Sequence, residues 1–230
     1  MPGSWRLADS QHFCLTFCRN RSPEEVLARY GADADSARPL PAKSAPSALL
    51  RGTTLRVGLL GEWSFCVEFE NYIGCTKTIM RDLSAGTEAL LLFQTEKGLT
   101  VFSYVVDGRV VEKFEPGCPP SARGRSAHAF ARRTEALIST GTSRTTACLE
   151  VMAQHTGHEL TTDILHGPLL TAVIDEVDQA ALAHPDPPLL YPDDVPPSSP
   201  RPLGRPLGHL LPVTGRARES GNLFGGCDDR

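Results

Sequence analysis

The chain has 230 residues, of which 40% are hydrophobic and 22% are charged, as is usual for globular proteins. A formal net charge of −4 gives no positive field for a polyanion, so we expect no nucleic-acid partner. No apolar run approaches the roughly 20 residues of a membrane span, and the N-terminus lacks a signal-peptide pattern, so we expect a cytoplasmic protein without membrane contact.

Seven cysteines are spread along the chain with spacings that match neither a zinc motif nor a redox motif. Cys14 and Cys18 lie in a predicted strand, where a rise of about 3.3 Å per residue separates their Cα atoms by roughly 13 Å. A disulfide needs Cα atoms within about 7 Å, so this pair is excluded. We therefore predict reduced, mostly buried thiols.

The first elements are a strand and a short helix. Residues 13–18 form an aromatic and apolar run that is typical of a strand. Ser22, Pro23 and Glu25 then form a capping box with proline at the first helical position, which predicts a helix that ends at Gly31.

A loop over 32–52, rich in Ala, Ser and Pro, leads to two predicted strands over 54–60 and 63–69. In the second strand, large apolar side chains alternate with smaller or polar ones. One of its faces carries the large side chains of Trp63, Phe65, Val67 and Phe69. We predict that this face belongs to the core, because four such side chains in a row would otherwise form an exposed apolar patch.

The middle of the chain predicts an antiparallel meander. Thr76 caps a helix that runs to Leu83, and strands follow over 88–95, 99–106 and 109–114. The Asp107-Gly108 pair between the last two strands is the strongest hairpin signal in the chain, because a type I′ turn needs a positive φ at both central residues.

The C-terminal third predicts helices. A polar loop over 117–126 precedes helices over 127–138 and from Thr142 or Ser143 to His155. A last helix is predicted from Thr161 or Thr162 through Val173, with Pro168 starting, kinking or breaking it.

Ten prolines crowd residues 185–212, which include the tandem repeat Arg-Pro-Leu-Gly at 201–208. Such a segment can form neither the hydrogen-bond ladder of a β-sheet nor a helix. We therefore predict that residues 181–230 form a disordered tail. Residues 1–180 are predicted to form a single α+β domain with a mainly antiparallel sheet, a β-meander, and helices packed on one face of it.

Nine short motifs, each weak alone, occur in a specific order at 14–17, 22–27, 61–68, 83–87, 102–104, 107–108, 114–116, 156–157 and 160–161. Together they resemble a domain-of-unknown-function family that is common in high-GC Gram-positive bacteria. The resemblance spans about residues 12–170 and is poor between 32 and 53. It implies a small α+β domain in a bacterial cytosol, and it implies no activity and no catalytic residue.

Four residues near the end of the domain have side chains that suit zinc, namely His155, His158, Glu159 and His166. Their spacing does not form H-E-x-x-H, and Gly157 separates the first two. We predict neither a metal site nor a cofactor.

A second candidate set consists of the carboxylates Glu62, Glu68, Glu70 and Glu115. General acid–base catalysis would need two of them in different environments around one cleft. The favoured interpretation is a solvated sheet face with charged turns. The chain has neither a nucleophile elbow nor a phosphate-binding glycine loop.

The third candidate is a basic stretch that contains His128 and the four residues Arg123, Arg125, Arg132 and Arg133. It could meet phosphate, an acidic protein surface or, in a regulatory role, nucleic acid. Stacking aromatic residues are missing apart from Phe130, so single-strand binding is not expected. A solvated loop and helix face is the favoured interpretation.

These observations favour a non-catalytic binding or protein-interaction module, immunity-like or regulatory, that acts on a protein partner. The candidate binding residues are Glu62, Glu68, Glu115, Arg123, Arg125, Arg132 and Arg133, and no catalytic residue is predicted. The alternative is a hydrolase-type enzyme with a carboxylate-based site on the sheet, using Glu68 or Glu115.

Overall fold

A computed structural model describes residues 12–46, 52–69, 71–124 and 127–174 of the chain. The predicted tail over 181–230, the predicted end of the domain over 175–180, and the candidates Glu70 and Arg125 lie outside these residues.

The described residues form nine strands and five helices. The strands are β1 (Phe13–Arg19), β2 (Arg38–Leu40), β3 (Thr53–Leu60), β4 (Trp63–Phe69), β5 (Glu88–Gln94), β6 (Thr100–Val106), β7 (Arg109–Glu115), β8 (Cys118–Arg123) and β9 (Leu169–Ile174). The helices are α1 (Pro23–Arg29), α2 (Lys77–Ser84), α3 (Ala129–Ser139), α4 (Arg144–Thr156) and α5 (Thr162–His166). None of these helices is long and apolar enough to cross a membrane.

All nine strands belong to one sheet in the order β2-β9-β3-β4-β1-β5-β6-β7-β8, and every neighbouring pair is antiparallel. The predicted meander of β5, β6 and β7 is confirmed. Its hairpin has the expected backbone, since φ is +48° at Asp107 and +73° at Gly108. The predicted capping box at Ser22 and Glu25 is also present.

Both faces of the central strands are covered by helices. On one face, α3, α4 and α5 pack on the large side chains of β1 and β4, which confirms that Trp63, Phe65 and Val67 belong to the core. On the other face, α1 and α2 pack on the alternate residues of the same strands, among them Cys14 and Cys66. The α+β class and the antiparallel sheet are therefore confirmed, whereas the helices lie on two faces and not on one.

Two further corrections arise at proline residues. The predicted last helix ends at His166, and the chain continues as β9 because Pro168 has no N–H and its ring blocks a continuing helix. The predicted loop over 117–126 contains the edge strand β8, where Pro119 and Pro120 are tolerated because one side of an edge strand makes no ladder bonds.

A buried carboxylate holds the start of α3. Glu112 lies on β7 and is fully buried. Its oxygens accept hydrogen bonds from the backbone nitrogens of Phe130, at 3.2 Å, and Ala131, at 2.7 Å. The residue before the helix, His128, provides no side-chain cap, so Glu112 supplies the acceptors that the first turn needs.

We predict that Glu112→Ala destabilises the fold, because it leaves two buried N–H groups without this acceptor. Each such group costs about 1–3 kcal/mol, so the free energy of unfolding should fall by about 3 kcal/mol in urea denaturation. Lys113→Ala, which changes an exposed side chain on the same strand, should stay within about 0.5 kcal/mol of the unaltered chain. Equal losses in the two variants would contradict this role for Glu112.

Candidate functional site

Polar side chains converge where β1 ends and β5 begins. Arg19 is the last residue of β1, and Glu88 is the first residue of β5. The antiparallel pairing of these strands brings the two ends together. Tyr104 approaches from the neighbouring β6, and His155 from the last turn of α4. The alternation along β5 places Glu88 on the sheet face that α3 and α4 cover.

Glu88 is the shared acceptor of this cluster. Its Oε1 accepts a hydrogen bond from Arg19 Nη1 at 3.1 Å, and its Oε2 accepts one from the Tyr104 hydroxyl at 2.7 Å. His155 Nε2 lies 3.0 Å from the same Oε2, and it must be the donor because an ionised carboxylate only accepts. The second guanidinium nitrogen of Arg19 reaches Glu62 Oε1 at 2.7 Å.

An open cavity of about 550 Å³ lies over this cluster, and its lining consists of Arg19, Asn20, Gly86, Thr87, Glu88, Tyr104, Val106 and Asp107. The side chain of Arg19 is 42% exposed, and that of Glu88 is 16% exposed. In this lining, Glu88 and Asp107 provide two carboxylates against the guanidinium of Arg19, and Glu62, which pairs with Arg19 outside the lining, adds a third. Carboxylates therefore outnumber guanidinium groups in the lining.

The hydrogen bonds fix the charge of Glu88. Burial by itself raises the pKa of this carboxyl, but hydrogen bonds from Tyr104 and His155, with a further one from Arg19, outweigh burial and lower the pKa overall. Burial and the neighbouring carboxylate raise the pKa of Tyr104, so its hydroxyl keeps its proton. The cluster thus holds an anion at the edge of the cavity.

Aromatic rings enclose His155. Its imidazole lies 5.1 Å from the Phe130 ring, 5.4 Å from Tyr104 and 5.6 Å from Trp63, measured between ring centroids. These contacts fix the ring orientation. His155 is not among the residues that line the cavity, so its role in this arrangement is to hold Glu88.

Of the three predicted carboxylates in the described residues, only Glu62 lies at this site. Glu68, expected on a solvated face, is fully buried because α1 and α2 cover that side of β4. Glu115 is half-buried at the end of β7, where its backbone N–H donates to Ser121. The structure does not bring Glu62, Glu68 and Glu115 together.

The buried Glu68 is held by the backbone. Its two oxygens accept hydrogen bonds from the N–H groups of Ile73, at 2.7 Å, and Gly74, at 2.8 Å. Burial nevertheless raises the pKa of its carboxyl to about 7, against the lowering effect of these bonds.

The predicted basic residues do not converge on one point. Arg123 is exposed on β8 and donates to the carbonyl groups of Pro120 and Ala122. Arg132 and Arg133 are exposed on α3, and Arg133 bonds with Gln154 of α4.

The predicted zinc-type residues also diverge. His155 faces Glu88, whereas His158 packs against the turn at Gly61, where a Cβ atom would come 2.2 Å from its Nε2. Glu159 and His166 are exposed. Among the residues that the structure describes, no group of three His, Cys, Asp or Glu side chains could hold a metal ion.

Sequence reasoning missed Arg19, Glu88 and Tyr104 as site residues. One signal was present: Arg19 and Glu88 are charged residues at the ends of strands that are otherwise mostly apolar. Their meeting depends on the pairing of β1 with β5, which are separated by three strands and two helices along the chain, and no local pattern specifies that pairing.

Fold and site define an α+β domain with a cavity at the end of its central strands, where Arg19 and Glu88 meet. Residues 4–167 match the model of DUF6461, a family of unknown function, and the chain belongs to that family. The expected membership in a family of unknown function is thus confirmed, while the high-GC Gram-positive origin stays a prediction. No curated protein and no solved structure matches the chain.

We predict a pH-dependent stability that arises from Glu68. Because its pKa is raised from 4.5 to about 7 by folding, the folded chain keeps a proton in this window that the unfolded chain has lost. The contribution of Glu68 to the free energy of unfolding should therefore fall by about 3 kcal/mol as the pH rises from 4.5 to 7, and then level off.

This slope is measured by urea denaturation at several pH values in the unaltered chain and in Glu68→Gln. The difference in unfolding free energy between the unaltered chain and Glu68→Gln should decrease as the pH rises. Glu96→Gln, which changes an exposed position between β5 and β6, should show the same pH dependence as the unaltered chain. A difference between the unaltered chain and Glu68→Gln that does not vary with pH would contradict a raised pKa at Glu68.

Proposed function

We propose that this chain is a non-catalytic binding module whose cavity receives a positively charged side chain of a partner protein. The observation that supports this proposal is the carboxylate of Glu88, which three donors hold as an anion beside a cavity of about 550 Å³.

Charge and shape favour a lysine or arginine side chain. The carboxylates of Glu88 and Asp107 outnumber the guanidinium of Arg19 in the lining, and Glu62 already pairs with Arg19, so an added cation restores the balance. Val106 and the ring of Tyr104 offer apolar surface to the methylene stem, and a cation near an aromatic face gains about 0.5–1 kcal/mol or more.

The same contacts support binding in preference to catalysis. A general acid or base works best when its pKa lies near the operating pH. The pKa of Glu88 is lowered and that of Tyr104 is raised, so both groups keep one protonation state at neutral pH. A site in which Glu88 stays ionised and Tyr104 stays protonated suits recognition of a charged group.

One contact favours the hydrolase alternative. The 3.0 Å pair of His155 and Glu88 has the geometry of a base and the carboxylate that orients it. In that reaction the site would use His155 and Glu88, and neither Glu68 nor Glu115. Turnover of p-nitrophenyl esters that disappears in His155→Ala while the variant stays folded would favour this alternative.

The binding proposal is tested with arrays of capped peptides that have Lys, Arg, Gln or Glu at a fixed central position. The labelled full-length chain should bind the Lys and Arg sets in preference to the others, and more weakly as salt increases. Glu88→Gln should weaken this binding by about tenfold or more, because it removes the fixed anion.

Glu115→Gln is the matched control, since Glu115 lies outside the cavity, and it should bind as the unaltered chain does. Glu62→Gln should give a smaller loss than Glu88→Gln, because Glu62 is about half exposed. Preference for the Glu set, or unchanged binding by a folded Glu88→Gln variant, would contradict the proposal.

A further inference from the structure

Two thiols meet on the sheet face opposite the cavity. Cys14 lies on β1 and is fully buried under α1 and α2. Cys75 ends the 3₁₀ turn Ile73–Cys75 and is half-buried. Their sulfur atoms are 3.7 Å apart, although 61 positions separate the two residues in the chain.

This separation is short enough for a disulfide to form after a small shift. An S–S bond is about 2.05 Å long, so each sulfur atom would have to move by roughly 0.8 Å. Cys75 belongs to a short turn at the start of α2, which can move more easily than a central strand.

A carboxylate lies beside the buried thiol. Glu68 pairs with Cys14 directly across strands β4 and β1. Both approach the backbone of Gly74, where an added Cβ atom would lie 2.8 Å from Glu68 Oε1 and 3.0 Å from Cys14 Sγ. Glu68 is therefore placed to receive the proton of the Cys14 thiol.

We propose that Cys14 and Cys75 are an oxidation site, at which a peroxide converts the two thiols into an intramolecular disulfide with Glu68 as the proton acceptor of Cys14. Cys75 reacts first, because it is less buried than Cys14. Its sulfur attacks the peroxide, an S–O bond forms, the O–O bond breaks, and the leaving oxygen departs with a proton as water or an alcohol.

The second step closes the bond. Cys14 Sγ loses its proton to Glu68 and attacks Cys75 Sγ, so that an S–S bond forms and the S–O bond breaks. The hydroxide that leaves takes up the proton from Glu68 as water. The two thiols together lose two electrons, and the peroxide gains them.

Glu68 makes the second step feasible. Burial raises the pKa of the Cys14 thiol well above its usual range, so this thiol needs a base in order to react. The pKa of Glu68 is raised to about 7, which leaves a large fraction of this carboxyl ionised and ready to accept a proton at neutral pH.

The test uses the reduced full-length chain, a few equivalents of hydrogen peroxide, alkylation, and mass spectrometry of the tryptic digest without reduction. A loss of about 2 Da and a crosslink between peptides 7–19 and 57–77 are expected. These peptides also contain Cys18 and Cys66, so fragmentation and the double variant Cys18→Ala/Cys66→Ala assign the bond. The double variant should keep the crosslink.

Single variants separate the two steps. Cys75→Ala should abolish the crosslink and the early uptake of dimedone, a reagent for sulfenic acid. Cys14→Ala should abolish the crosslink but leave dimedone uptake at Cys75. Glu68→Gln should slow crosslinking by about tenfold or more at pH 7 while dimedone uptake at Cys75 keeps its rate.

The unaltered chain provides the decisive result, because it does not depend on how any variant folds. A chain that keeps its circular dichroism spectrum and forms no Cys14–Cys75 crosslink under peroxide would overturn the proposal. A crosslink that joins another pair, including one with Cys227, would overturn it as well. The site lies on the sheet face opposite the cavity, so its failure leaves the binding proposal unaffected.

Discussion

Helices cover both faces of the central strands β1 and β4, and this two-sided burial determines where polar groups can lie. Large aromatic side chains such as Trp63 and Phe65 fill the space beneath α3, α4 and α5. Small side chains such as Cys14 and Cys66 leave room on the other face for α1 and α2 to approach. A polar group along these strands must therefore find its partners within the protein.

The buried charged residues satisfy this requirement through the backbone. Glu68 accepts from the turn before α2, Glu112 accepts from the first turn of α3, and Arg56 donates to carbonyl groups at the end of α5. Each of them connects the sheet to a covering element. Where β1 ends and β5 begins, the charged groups of Arg19 and Glu88 are partly exposed instead, and they meet at the edge of the cavity.

Local signals predicted much of the fold, because caps, turns and alternation act over a few residues. The capping box at Ser22 and the Asp107-Gly108 hairpin are examples. Helices on the second face of the sheet were not predicted, since the Cys and Thr side chains on β1 do not form an obvious apolar stripe. The site was predictable only at Glu62. Arg19 and Glu88 meet through a long-range strand pairing, which depends on how the whole sheet assembles.

The central claim is that Glu88 is a fixed anion at the edge of the cavity. A carboxyl-detected NMR titration of the full-length chain tests it directly, since it follows the ionisation of this one side chain. We expect a Glu88 pKa below the value of about 4.3 for an unperturbed glutamate, and a higher pKa in Tyr104→Phe, which lacks one of the donors. A Glu88 pKa at or above the unperturbed value would contradict the account.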